Sequence, residues 1–424
     1  MRLIGNKTRL LGEIERFLSD RGVRGGTLFD VFCGTASVSR HFKALGFRVV
    51  ANDHLSMCYT KAVADVEVSE YPALEKIRKK CAKVMGSPLF QRTLARQGTL
   101  DLGGAEKAPG DSLPPEAAFL RQVIHLLNEY IEPAEGLIFR NYCPGGAKGR
   151  MYFSDENGRR IDGILQFLRA GFRDGDLSHA ELHVLLSSLL DAADRVANIS
   201  GTYGAYLKKW QRNTLQPLHL RVPEIILSRK KHQAFQEDGN ELVRRVKADV
   251  LYIDPPYNKR QYPANYHILD VMARFHAVED PELLEASLYG KTGLCPYDHL
   301  KSAYCVPPSA RSQAGNVLSA MTDLILSSHA QHVLVSYNEE GLLTRDELGS
   351  ILSRFAGVRA FDFKENMRIV PYRRFRSDSD RAPGDAGGKR QYRILEGKEA
   401  DHISEWLLYA RRAGTSRRRA GVQS

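Results

Sequence analysis

The sequence predicts an α/β protein whose sheet-forming pattern is interrupted by a long, mostly helical insertion. Three observations carry this. Short apolar segments alternate with helix-period segments over residues 6–66. The alternation is lost from about 70 to about 230 and returns at 232. At 424 residues the chain is also long enough for a large domain with an insertion, or for two to three domains of ~150 residues.

The elements follow in order. Residues 6–18 read as a helix, 27–32 (TLFDVF) as a buried strand and 36–45 as a helix. Residues 47–51 (FRVVA) form a second strand, closed by Asn52-Asp53, before a helix over 56–66. The insertion has its strongest amphipathic helices at 116–130 and 178–198, with glycine-rich loops at 98–110 and 144–149. Strand–helix alternation resumes with a strand at 232–236 and a helix at 240–247. A strand at 250–253 (VLYI) then ends in Asp254-Pro255-Pro256-Tyr257. Helices are expected at 265–275, 316–328 and 344–355, and a strand at 332–336 (HVLVS). Late strands at 360–363 and 391–395 flank a basic loop, and 400–413 reads as a closing helix. Residues 411–424 hold five arginines and no acid, and are expected to be disordered.

Composition narrows the function. The chain is 43% hydrophobic and 26% charged, as in ordinary globular proteins, which argues against wholesale disorder. No window reaches the ~18 unbroken apolar residues of a membrane helix, and the first residues lack an apolar signal core, so a cytoplasmic protein is expected. Lys plus Arg is 61 against 50 acids, a net charge of +11, which favours a polyanionic partner. The six cysteines form no CxxC pair, and no metal site is expected. His179 and His183 lack the HExxH order of a zinc hydrolase and read as one face of a surface helix.

Two segments carry chemistry. Asp30-Val31-Phe32-Cys33-Gly34-Thr35-Ala36 joins a strand to a helix through small residues, where a ligand can approach the backbone. Asp53 ends the next strand, where a carboxylate can accept both hydroxyls of a ribose. Neither Gly5-Asn6-Lys7-Thr8 nor Gly290-Lys291-Thr292 has the upstream glycine of a phosphate-cradling loop. The second segment is Asp254 to Tyr257. Its two prolines remove two N–H donors and stiffen the chain, leaving a carboxylate and carbonyls as a cluster of acceptors. Such a cluster suits an exocyclic amine, and Tyr257 adds a flat face for a base.

On these residues the chain resembles the Dam-like, alpha-group adenine-N6 DNA methyltransferases, in particular the modification enzymes of type II and IIS restriction systems. The resemblance covers nearly the whole chain. It implies a Rossmann-like mixed sheet that binds S-adenosylmethionine, with an inserted helical target-recognition domain. Ile4-Gly5-Asn6-Lys7-Thr8 is similar to the N-terminal motif beside the methionine end of the cofactor. Asp30 to Ala36 resembles the cofactor turn, with Ala36 where the family usually has glycine. Asp53 resembles the ribose acid, and Asp238, followed by Gly239, the acid that reads the cofactor's adenine. Asp254 to Tyr257 resembles the catalytic motif, extended by Asn258-Lys259-Arg260-Gln261-Tyr262 as in the restriction-associated branch. Segments 200–210, 336–342 and 372–378 resemble that branch too.

The resemblance implies direct attack of a flipped adenine amine on the cofactor methyl, without a covalent base adduct. Arg140, Lys148 and Arg150 cluster in sequence around Tyr142, Tyr152 and Phe153. With Lys208, Lys209, Lys259, Arg260, Arg373 and Arg374 they are the expected DNA contacts. The expected division is 1–70 and 231–410 for the catalytic core, 71–230 for target recognition and 411–424 for the tail. A monomer acting on double-stranded DNA, with a cognate endonuclease encoded elsewhere, is the default. Cytosine-N4 methylation and a non-catalytic DNA-binding relative are the alternatives. The absence of any Pro-Cys dipeptide argues against cytosine-C5 chemistry.

Overall fold

The computed structural model describes residues 7–100, 114–310, 315–373 and 402–413. Seven strands form one mixed sheet in the order β3-β2-β1-β4-β5-β7-β6. They are β1 Thr27–Asp30, β2 Arg48–Asn52, β3 Gln233–Phe235, β4 Val250–Ile253, β5 His332–Asn338, β6 Met367–Arg373 and β7 His402–Arg411. The first five are parallel, and β7 runs antiparallel between β5 and β6.

Parallel strands are covered on both faces and therefore read as continuous apolar runs. VLYI of β4 is buried at every position. Leu28, Val250 and Leu334 face a layer that includes Ile14, Phe17 and Phe42 from helices Leu11–Ser19 and Ser37–Ala44. Phe29, Leu251 and Val333 face the opposite layer, with Leu324 and Leu352 from helices Val317–Ser327 and Arg345–Ala356. A third apolar cluster gathers the helices of the insertion, chiefly Asp155–Arg173 and His179–Val196. Residues from helices Ser56–Ala62 and His267–Arg274 belong to that cluster, which joins the helical body to the sheet.

Two of the long helices begin at capping boxes. Ser178 and Glu181 close a capping box on His179–Val196, and Thr344 and Glu347 close another on Arg345–Ala356. Among the described residues no helix is long and apolar enough to cross a membrane.

Three expectations are corrected. The closing helix at 400–413 is instead strand β7. Its Ile403, Leu407 and Leu408 are all buried, because the strand is covered on both faces, and a short apolar run of that kind has no periodicity separating strand from helix. The strand expected at 360–363 is replaced by a helical turn Phe363–Asn366, because the Asp362 carboxylate caps the Lys364 and Glu365 amides; the strand follows as β6. His179 and His183 do share one face, with ring centroids 4.3 Å apart, and His179 is exposed. His183, however, is buried with its Nδ1 3.1 Å from the Thr60 hydroxyl, so most of that face packs inward rather than on the surface. The strand expected at 391–395 and the tail from 414 lie outside the described residues.

Candidate active site

Strand order reverses between β1 and β4, and a crevice opens beyond the carboxyl ends of both, as it does in open α/β sheets. The cleft measures about 950 Å³ with its open mouth included, and Lys7, Asp30, Phe32, Asp53, Asp254 and Tyr257 are among its walls.

The chain leaves β1 through a turn tied to its neighbours. Cys33 N–H donates to the Asn52 carbonyl, and the Asn52 amide donates to the carbonyls of Val31 and Glu237. Gly34 adopts φ 53° and Ala36 φ 58°, the left-handed region, so Ala36 takes a conformation that glycine would take without strain. Asp30 accepts a 2.7 Å hydrogen bond from Ser39 on Oδ2. Its Oδ1 is buried and has no partner among the described residues. Burial pushes its pKa up to about 7, with the Asp254 and Asp53 charges adding to the shift. Asp53 accepts from Gly34 N–H and Leu55 N–H, both at 3.0 Å, which fixes its carboxylate at the cleft wall. Burial raises its pKa, against these two N–H donors.

Asp254 leaves β4 into a buried ion cluster. Lys7 Nζ lies 2.9 Å from Asp254 Oδ1 and 3.0 Å from Glu405 Oε1. The Ser336 hydroxyl donates to Glu405 Oε1 at 2.5 Å. Burial alone would push the Lys7 pKa down, but the two carboxylates outweigh it and raise it. Burial and the Glu405 charge raise the Asp254 pKa, against the pull of Lys7. One cation thus serves two carboxylates at the cleft. Tyr257 is partly buried, and its carbonyl accepts from Leu342 N–H, which ties the 336–342 segment to the Asp254 motif. On the facing wall, Gln261 and the Ser302 backbone exchange hydrogen bonds.

Gly239 packs so tightly that a Cβ there would meet Val31 Cγ1 at 2.6 Å. Asp238 does not line the cleft; its Oδ1 caps the short helix Gly239–Leu242. Gly5 and Asn6 lie outside the described residues.

The expected DNA contacts divide. Lys148, Lys208, Lys209, Lys259 and Arg260 are exposed. Arg140 is engaged by the Glu285 carboxylate in a 2.5 Å ion pair. Arg150 is corrected: it is buried and donates to the carbonyls of Asn141, Gly290 and Lys291, so its charge holds backbone and does not face DNA. Tyr142, Tyr152 and Phe153 are fully buried as well. Arg373 ends β6, and Arg374 lies outside the described residues. Sequence reasoning missed Glu405, whose only signal is a lone acid inside an apolar run.

Comparison with known proteins gives a consistent picture. Residues 3–93 and 110–281 match the family described as D12 class N6 adenine-specific DNA methyltransferase. The chain is 34% identical over 382 residues to the Type II methyltransferase M.FokI of Planomicrobium okeanokoites, covering 89% of this chain and 50% of that protein. It is 32% identical over 379 residues to the Modification methylase StsI of Streptococcus sanguinis, covering 89% of this chain and 49% of that protein. It is 31% identical over 384 residues to the Type II methyltransferase M.NlaIII of Neisseria lactamica, covering 89% of this chain and 93% of that protein. The chain therefore spans about half the length of the first two relatives and nearly all of the third. No solved structure matches it significantly.

Proposed function

Since this chain belongs to the D12 class of N6 adenine-specific DNA methyltransferases, we propose that it methylates the N6 amine of adenine at a specific site in double-stranded DNA, as the modification enzyme of a restriction system. The methyl donor in this reading is S-adenosylmethionine. The observation that carries it is the convergence of Asp30, Asp53 and Asp254 on one crevice at the switch point of the sheet.

The residues fit that cofactor. Asp53, held by two backbone amides at the end of β2, would accept the ribose hydroxyls. The unpartnered Asp30 Oδ1 leaves a buried acceptor that a bound donor or cation would satisfy. Gly34 lets the backbone come close. When bound, S-adenosylmethionine supplies an activated methyl group.

The chain's own residues do the rest. The Asp254 carboxylate and the Pro255 carbonyl accept the two N–H groups of the adenine amine, which favours a localised lone pair on nitrogen. Lys7 pins Asp254 Oδ1 and leaves Oδ2 for the amine. Pro255 and Pro256 offer no competing N–H. Tyr257 stacks on the flipped base, repaying about 1–3 kcal/mol of the few kcal/mol that flipping costs. After transfer the amine sheds one proton, and Asp254 is the adjacent acceptor, its proton affinity raised by burial and by Glu405.

A monomer, a cognate endonuclease and a cytoplasmic location complete the reading. Modification-sensitive long-read sequencing of DNA from a methylation-free host expressing the chain tests it. N6-methyladenine at one recurring motif is expected. N4-methylcytosine would overturn the target assignment, and unmodified DNA the reaction.

A further inference from the structure

The turn Gly290-Lys291-Thr292-Gly293 is built unlike an ordinary surface loop. A two-way bridge between Tyr289 and Leu294 closes it, with N···O distances of 2.9 and 2.8 Å. All four of its carbonyls point inward onto buried side chains. Arg150 donates to Gly290 O and Lys291 O, both at 3.0 Å. Tyr142 donates to Gly293 O at 2.8 Å, and His267 Nε2 lies 3.2 Å from Thr292 O. Arg150 keeps 6% exposure, His267 2% and Tyr142 none, so three buried polar groups serve one exposed turn. Gly290 and Gly293 both sit at φ 70°, and a Cβ on Gly293 would come within 2.7 Å of Arg150 Nη1 and 2.8 Å of Tyr142 Cε1.

Pulling the carbonyls inward decides what faces outward. The N–H groups of Gly290, Lys291 and Thr292 make no hydrogen bond to another described residue. Lys291 is exposed beside them. Outward backbone N–H groups in a turn form an anion-binding concavity, and a lysine adds a full charge. The same frame carries a second basic loop. Tyr152 lies 5.8 Å from Tyr142 and 5.1 Å from Tyr206, ring to ring, and donates to the Tyr203 carbonyl, which holds the segment leading to exposed Lys208 and Lys209. Lys148 is exposed two residues before Arg150. The frame continues into the cleft: Pro263 precedes His267, Leu300 and Ser302 follow the turn, and all three line the cleft.

We propose that the Gly290–Gly293 turn is a preformed site for a DNA backbone phosphate, gripped by its N–H groups and Lys291, with Arg150, Tyr142 and His267 as its positioning residues. This rests on the DNA-methylating function proposed above. The turn sets how the duplex lies over the cleft and reads no base, since phosphate contacts position and base contacts specify.

The test measures binding of the whole protein to an unmethylated mixed-sequence duplex across a salt series, with S-adenosylmethionine affinity and methyl transfer at saturating DNA alongside. Lys291→Ala is expected to raise Kd about fivefold and to lower the salt slope by about 0.9, the signature of one lost phosphate contact. Cofactor affinity stays at the wild-type level. Gly293→Ala, which pushes the turn off Arg150 and Tyr142 while keeping every charge, is expected to reproduce the loss of affinity. Unchanged Kd and slope in Lys291→Ala, with a methylating wild type, would overturn the turn alone. Relaxed sequence choice at unchanged slope would make it a base reader and overturn the phosphate assignment. A wild type that neither binds nor methylates DNA would overturn the proposed function and this site with it.

Discussion

Asp30 concentrates the tension between folding and binding in one side chain. It is buried, it lacks a partner on one oxygen, and its pKa stands at about 7 in the folded chain. The unfolded carboxyl titrates near 3.8, so the folded state holds its proton longer. Stability must then fall as pH rises between those values, because the folded state binds more protons there. Asp30→Asn removes this effect. Chemical denaturation of the free protein is expected to favour the variant increasingly from pH 5 to pH 8, while cofactor affinity drops about tenfold or more, the scale of a lost hydrogen bond to a charged group. A stability difference that stays flat with pH would contradict the assignment. Asp30, Asp53 and Asp254 were legible in the sequence because each is a carboxylate at the end of an apolar run. Arg150 was not: residue type says basic, but nothing local says that carbonyls some 140 positions away will bury it.

At the scale of elements, β7 matters most, and it was the one least legible. Its apolar run fits a helix as well as a strand covered on both faces, and only its place between β5 and β6 decides. That misreading hid Glu405, since a helix would aim the residue elsewhere. Glu405→Gln leaves Lys7 paired with Asp254, so the loss of stability is expected near 1–3 kcal/mol, below the ~3–5 kcal/mol of an orphaned buried charge. Lys7→Met, which leaves two carboxylates facing each other, belongs to the costlier class. Because Glu405 raises the Asp254 pKa, Glu405→Gln should also move the acid limb of the rate profile to lower pH, together with a fall in kcat. An unmoved limb would mean that Glu405 only supports the fold. The helices at 178–198 and 344–355 were legible from their apolar period, and the structure starts both at capping boxes, Ser178 with Glu181 and Thr344 with Glu347.

For the whole molecule, the charge of +11 makes the proposed DNA affinity a matter of counterions. Between 50 and 200 mM salt, affinity for a mixed-sequence duplex is expected to fall by about 10³ or more, as for proteins with six or more phosphate contacts. A loss below about tenfold would mean that phosphates do not lead binding. The α/β class and the helical insertion were legible at this scale, from a period that changes and returns. How the two parts meet was not, because helices Ser56–Ala62 and His267–Arg274 join the insertion's core by packing and not by sequence neighbourhood. The ion cluster at the cleft has a consequence in time. It joins the seventh residue to the four-hundred-and-fifth across Asp254. A ribosome therefore exposes the turn after β1 and the Asp254 motif before the strand that completes their setting. A nascent chain that has emerged only through the Asp254 motif would hold most of the cleft and yet lack the acid behind Lys7 until the strand that carries Glu405 is made.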